Sequence, residues 1–149
     1  GQLTQPVVTD LPGQIIAETH AFPAFSRNGS RLAFFRITFP SPLMDQPAQA
    51  DLIVIDISSG SGLIVATFPP GNYPLGVDWG PNDQLLYFAA GTQINQGGQF
   101  IPAANPGSAQ MFTVAPEGGT IGQIPGAPAG YFPTAIPLSP IIFRGNFEG

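Results

Sequence analysis

Proline or glycine interrupts this chain so often that almost no window of about 11 residues, the length over which a helix shows its period, is free of both. Proline removes a backbone N–H and clashes with the preceding turn, and glycine weakens a helix interior by about 1 kcal/mol relative to alanine. The apolar residues do not recur at the helical spacing of 3.6 either. The sequence therefore predicts an all-β chain. Between the breakers lie RLAFFRITF, DLIVIDI, GLIVATF, QLLYFAA and QMFTVA, runs rich in Val, Ile, Phe and Thr and bounded by Pro, Gly, Asn and Asp. Each has the length of an ordinary strand.

Two of these runs share their surroundings. Phe25-Ser26-Arg27-Asn28-Gly29-Ser30-Arg31-Leu32-Ala33-Phe34 lies over Trp79-Gly80-Pro81-Asn82-Asp83-Gln84-Leu85-Leu86-Tyr87-Phe88 at an offset of 54 residues. In both, an aromatic residue ends one strand, a turn with Asn28-Gly29 or Asn82-Asp83 follows, and an apolar strand begins. Asn, Asp and Gly tolerate the positive φ that tight hairpins demand. Further on, Asp51–Ile55 lies over Gln110–Val114 at an offset of 59, with Gly60 and Gly119 behind them. The same offset sets the segment from Pro74 to Pro81 over that from Pro133 to Pro140, the start of a third copy. A period of 40 to 60 residues with about four short strands fits a β-propeller blade.

The pattern Pro23-x-Phe25-Ser26-x-Asn28-Gly29-x-x-Leu32-Ala33-Phe34, followed by the strand Asp51 to Ile57 and the turn glycine Gly60, resembles the TolB-type, WD-repeat-like propeller blade. The second copy departs from it with Gly80 for the serine and Asn82-Asp83 for the turn pair, and the third has no hairpin turn. The resemblance implies one module over residues 1–149, with part of a preceding blade and a connection in 1–20, a blade in 21–70, a second in 71–130 and the start of a third in 131–149. The strands expected are about 21–25, 31–38, 51–57 and 62–68, then about 74–79, 84–90, 109–115 and 120–124. Closed propellers use four to eight blades, so this chain is incomplete as a propeller. It is either a piece of a longer propeller, or copies complete one another. Leu3 to Asp10, with Leu3, Thr4, Gln5, Val7, Val8 and Thr9 at its centre, is the candidate assembly strand, read as the outermost strand of a preceding blade. A β-sandwich built from the same strands is the alternative architecture.

Charge narrows the partners. Only 9% of residues are charged, against roughly a quarter in a typical soluble chain. The basic residues are Arg27, Arg31, Arg36 and Arg144, with no lysine, and the net charge is −5. No basic cluster offers nucleic acid phosphates a footprint, so nucleic acid is not an expected partner. No apolar run approaches the ~20 residues of a membrane helix, so no membrane span is expected. With no cysteine, thiolate chemistry and cysteine-held metals are excluded. The opening GQLTQPVV has neither a charged n-region nor an apolar h-region, so a secretion signal would lie outside this sequence. Few charges and no lysine suit a cell-surface, periplasmic or extracellular protein.

Candidate chemistry is sparse. His20, the single histidine, lies two residues from Glu18 without a second histidine or a carboxylate cluster nearby in sequence, and reads as a polar residue before a strand. Ser61 in SGSG lacks a nucleophile elbow, and Asp51, Asp56, Asp78 and Asp83 do not follow a calcium-loop spacing. Asp83 reads as a turn residue and Asp51 as a solvent-facing strand start. No catalytic residue, metal site or cofactor is expected. The Gly-rich segment Gly91 to Gln99 is a candidate contact loop through Thr92, Gln93, Asn95, Gln96 and Gln99, and PSPLMDQPAQA is its long counterpart in the first copy. Trp79 and Tyr131 read as core aromatics, with sugar stacking as the competing role. The expected function is a non-catalytic module that self-associates, its partners being copies of itself. A glycan- or ligand-binding lectin, or a fragment of a receptor or peptidase propeller, are the alternatives.

Overall fold

The computed structural model describes residues 7–11 and 14–124, with side chains from residue 17 onward. Within them the chain is all-β, built of two antiparallel sheets. The first sheet is a meander of β1 (Val7–Leu11), β2 (Gln14–Phe25), β3 (Arg31–Phe39), β4 (Gln49–Asp56) and β5 (Gly62–Thr67). The second holds β6 (Asn72–Trp79), β7 (Leu86–Gln96), β9 (Gln110–Val114) and β10 (Gly122–Ile124), and β8 (Gln99–Ala104) folds back along the far half of β7. Helical backbone among the described residues is limited to the 3₁₀ turns Pro81–Asp83 and Pro106–Ser108.

The sequence repeat is a structural repeat, residue for residue. Phe25 pairs with Leu32 in the first sheet, and Trp79 with Leu86 in the second. The pairs Leu32–Ile55, Phe34–Ile53 and Arg36–Asp51 have as counterparts Leu86–Val114, Phe88–Phe112 and Ala90–Gln110. Both offsets, 54 and 59, are thus preserved in the hydrogen-bonded register. The hairpin turns agree in their backbone hydrogen bonds. Ser26 N–H donates to the Arg31 carbonyl and Gly29 N–H to that of Ser26; Gly80 N–H donates to the Leu85 carbonyl and Asp83 N–H to that of Gly80. Gly29 and Asp83, equivalent in the repeat, both have positive φ, 76° and 56°.

The departure at Gly80 has a steric cause. A Cβ there would lie 2.7 Å from Cε1 of Tyr87 and 3.2 Å from the Leu85 carbonyl. In the first repeat the same two places hold Ser26 and Ala33, so a larger residue in the turn is matched by a smaller one on the strand.

Three larger departures from the sequence expectation stand out. β2 begins at Gln14 instead of 21, because its pairing with β3 continues past a bulge between Ala21 and Ala24 as far as Ala17, and its pairing with β1 extends it to Gln14. β7 runs on to Gln96, because the Gly-rich segment forms a hairpin with β8. The segment expected to finish a preceding blade instead supplies β1, which pairs with β2, Val7 opposite Glu18 and Leu11 opposite Gln14. Adjacent segments of complementary length satisfy each other's backbone first. Leu3, Thr4 and Gln5, and the third copy from 131 onward, lie outside the described residues.

The sheets pack face to face over one core. The first contributes Ala33, Phe35, Ile37, Leu52 and Val54; the second contributes Trp79, Leu86, Phe88, Ala90 and Val114. Full burial of side chains of this size stabilises by about 1.5–3 kcal/mol each. The contributing faces are not equivalent. Leu86, Phe88, Phe112 and Val114 are the repeat counterparts of Leu32, Phe34, Ile53 and Ile55, which form a separate apolar cluster on the opposite face of the first sheet. One kind of face therefore meets the other kind.

Candidate functional site

The repeat turns are tied to each other at one end of the stack. Asp83, held at positive φ and buried, turns its carboxylate onto the first turn, accepting from Arg27 N–H (2.7 Å) and Asn28 N–H (3.1 Å). Arg27 returns the contact, its guanidinium donating to the carbonyls of Gly80 (3.2 Å) and Trp79 (3.1 Å). Trp79 Nε1–H donates to the Ala24 carbonyl at 2.8 Å, and the Arg31 guanidinium carbon lies 5.0 Å from the Trp79 ring centroid. Arg31 also donates to the Asp83 carbonyl and to Glu117. Asp83 is thus a turn residue, as the sequence suggests, and also the clamp between repeats, which needs the two turns brought together before it can be seen. Asn82 shares the positive φ, and Asn28 closes its own turn by accepting from Ser26, Ser30 N–H and the Ser30 hydroxyl.

Trp79 is fully buried and has no ring face for a sugar; Tyr131 lies outside the described residues. The candidate contact segment divides. Thr92, Asn95, Gln96 and Gln99 are exposed, on the β7–β8 hairpin. Gln93 is buried and structural: its Oε1 accepts from Ala48 N–H (2.8 Å) and its Nε2 donates to the Ile101 carbonyl (2.9 Å). The two long connections meet here, since Phe100 N–H donates to the Met44 carbonyl (2.7 Å) and Gln99 Nε2 to that of Leu43. Side-chain amide geometry, not visible in a Gly-rich sequence, decides that Gln93 faces inward.

His20 Nε2 lies 3.2 Å from Glu18 Oε2, and its ring packs edge-on against Phe34 at 5.3 Å. Asp51 does not face solvent as a strand start. It is half-buried inside β4, 2.7 Å from Arg36 Nη2, and accepts from the Thr67 hydroxyl. Ser61 lies in an exposed turn beside the Ser59 hydroxyl (2.9 Å). In that turn Asp56 accepts from the Ser58 hydroxyl and Ser59 N–H, which hold its carboxyl below the ordinary value. Among the described residues no helix is long and apolar enough to cross a membrane.

Two apolar features remain. An apolar cavity of about 270 Å³ is lined by Phe68, Phe88, Phe112 and Ile121. On the outer face of the first sheet, the buried Leu32, Phe34 and Ile53 are bordered by Phe25, Ile57 and Ile64, which are 65%, 47% and 48% exposed. The sequence aligns Phe25 with Trp79 as strand aromatics; the difference in their surroundings is tertiary. Comparison with protein-family models gives no match, and comparison with curated proteins gives none either.

Proposed function

We propose that this chain is a non-catalytic structural module of β-propeller type that associates with copies of itself at the cell surface or outside the cell. One observation carries the reading. Its two repeats stack with unlike faces in contact, an arrangement with two unlike ends that further copies extend until a ring closes or a filament grows. The exposed border of Phe25, Ile57 and Ile64 marks one such end. A low charge content, 9% of residues, keeps repulsion between identical copies small. The extracellular setting rests on composition: few charges and no lysine.

The same observation supports a second reading, in which the open face takes a blade from a longer chain. Light scattering after size exclusion, with negative-stain images of the same fractions, separates the two. Rings or filaments of the 149-residue chain support self-association. A monomer of 15.5 kDa overturns it and favours the longer propeller.

A further inference from the structure

We infer that the copies join head to tail, Phe25 of one copy seating on Leu85 and Tyr87 of the next; the inference rests on the self-association reading above. The occupant of the Phe25 face follows from the repeat. Trp79, the counterpart of Phe25, sits against the first sheet with its indole N–H on the Ala24 carbonyl and the Arg31 guanidinium over its ring. The residues that would play those parts for Phe25 lie at the turn end of the second sheet of another copy. Arg31 is there replaced by Leu85, which is 39% exposed, and Ala33, which shares the buried core with Trp79, by the half-buried Tyr87.

The replacements match across the proposed contact. A phenyl ring has no N–H to satisfy and meets a leucine where the indole meets a cation. The carboxylate clamp loses its acceptor and one of its two backbone donors. Gly29 stands where the clamp has Asp83, and Pro81, which has no N–H, stands where it has Arg27. A second copy therefore arrives with no buried carboxylate lacking a donor at this place and no N–H of residue 81 lacking an acceptor. The contact is apolar, so added salt does not dissolve it.

The test uses the full chain with Phe25→Asp and Leu85→Asp, each destroying one side of the contact. Both residues are exposed, and far-UV circular dichroism with thermal melts checks that each variant folds; Phe25→Ser replaces Phe25→Asp if the charge disturbs the hairpin. Sedimentation velocity over a concentration series is expected to show wild type above monomer mass and each variant alone losing every larger species. An equimolar mixture of the two regains one intact contact and forms dimers, with nothing larger. If wild type assembles and the folded variants still do so, the assigned faces are overturned while self-association stands. If wild type is monomeric throughout, both fall.

Discussion

Phe25 and Trp79 occupy the same place in two repeats with the same register, yet Trp79 is 0% exposed and Phe25 is 65% exposed. The turn hydrogen bonds and the strand pairing cannot account for this, since they are shared. What differs is the neighbour. Trp79 has the first sheet beneath it, with a carbonyl for its N–H and a guanidinium for its ring. No described sheet lies over Phe25. Each repeat thus specifies a sheet locally, and the burial of its apolar face only through the neighbouring sheet.

The largest effect expected is at the buried member of the pair. Trp79→Ala opens the core and leaves the Ala24 carbonyl without its donor, at a cost of about 3–5 kcal/mol. Phe25→Ala, measured at dilution where the chain is monomeric, changes stability by no more than about 0.5 kcal/mol. Urea unfolding of both variants checks the contrast. Equal losses would mean that Phe25 is covered within the single chain, and the open-end interpretation would fail.

A middle-sized effect is expected at the clamp. Asp83 uses one carboxylate oxygen for Arg27 N–H and the other for Asn28 N–H. Asn in its place keeps tolerance of positive φ but offers one acceptor and turns an amide donor toward the second N–H. Asp83→Asn is expected to lose about 1–3 kcal/mol in urea unfolding. Asn82→Asp, in the same turn and exposed, keeps tolerance of positive φ and should change little. If Asp83→Asn were as silent, packing alone would hold the two repeats, and their polar ties would be incidental.

Much of this architecture is legible in the sequence because it is local. The strand RLAFFRITF, the turn Asn28-Gly29 and the offsets of 54 and 59 depend on backbone preference and period, and β3 and both turns lie where these put them. Where structure and sequence expectation part, the pairing partner decides, whether near or far in the chain. The segment of Val7, Val8 and Thr9 pairs with β2 rather than completing another blade. Gln93 turns inward because Ala48 and Ile101, far apart in the chain, offer it a donor and an acceptor. Asp51 is held by Arg36 directly across the strand pair, a partner that register reveals and spacing alone does not. The apolar face around Phe25 is plain as composition, but its exposure depends on which sheet stands opposite.

The smallest effect expected lies at the far turn, where the repeats differ by one carboxylate. Asp56 accepts from the Ser58 hydroxyl and Ser59 N–H, and its counterpart Ala115, at the offset of 59, has no acceptor side chain. Those hydrogen bonds, the Ser58 hydroxyl foremost, lower the Asp56 carboxyl below its ordinary value of 3.8. A carboxyl with a depressed folded-state value contributes stability above the unfolded value and loses it as pH falls through the folded one. The contribution is therefore present at neutral pH and disappears below about pH 4. Asp56→Asn keeps an oxygen for the turn and removes the titration, so melting temperatures of variant and wild type should converge slightly as pH falls through that window. Other carboxylates titrate in both proteins and cancel in the difference. A constant gap across the window would mean that the Asp56 turn is formed equally by the protonated acid, and that the carboxylate by which this repeat differs from the other adds nothing to its turn.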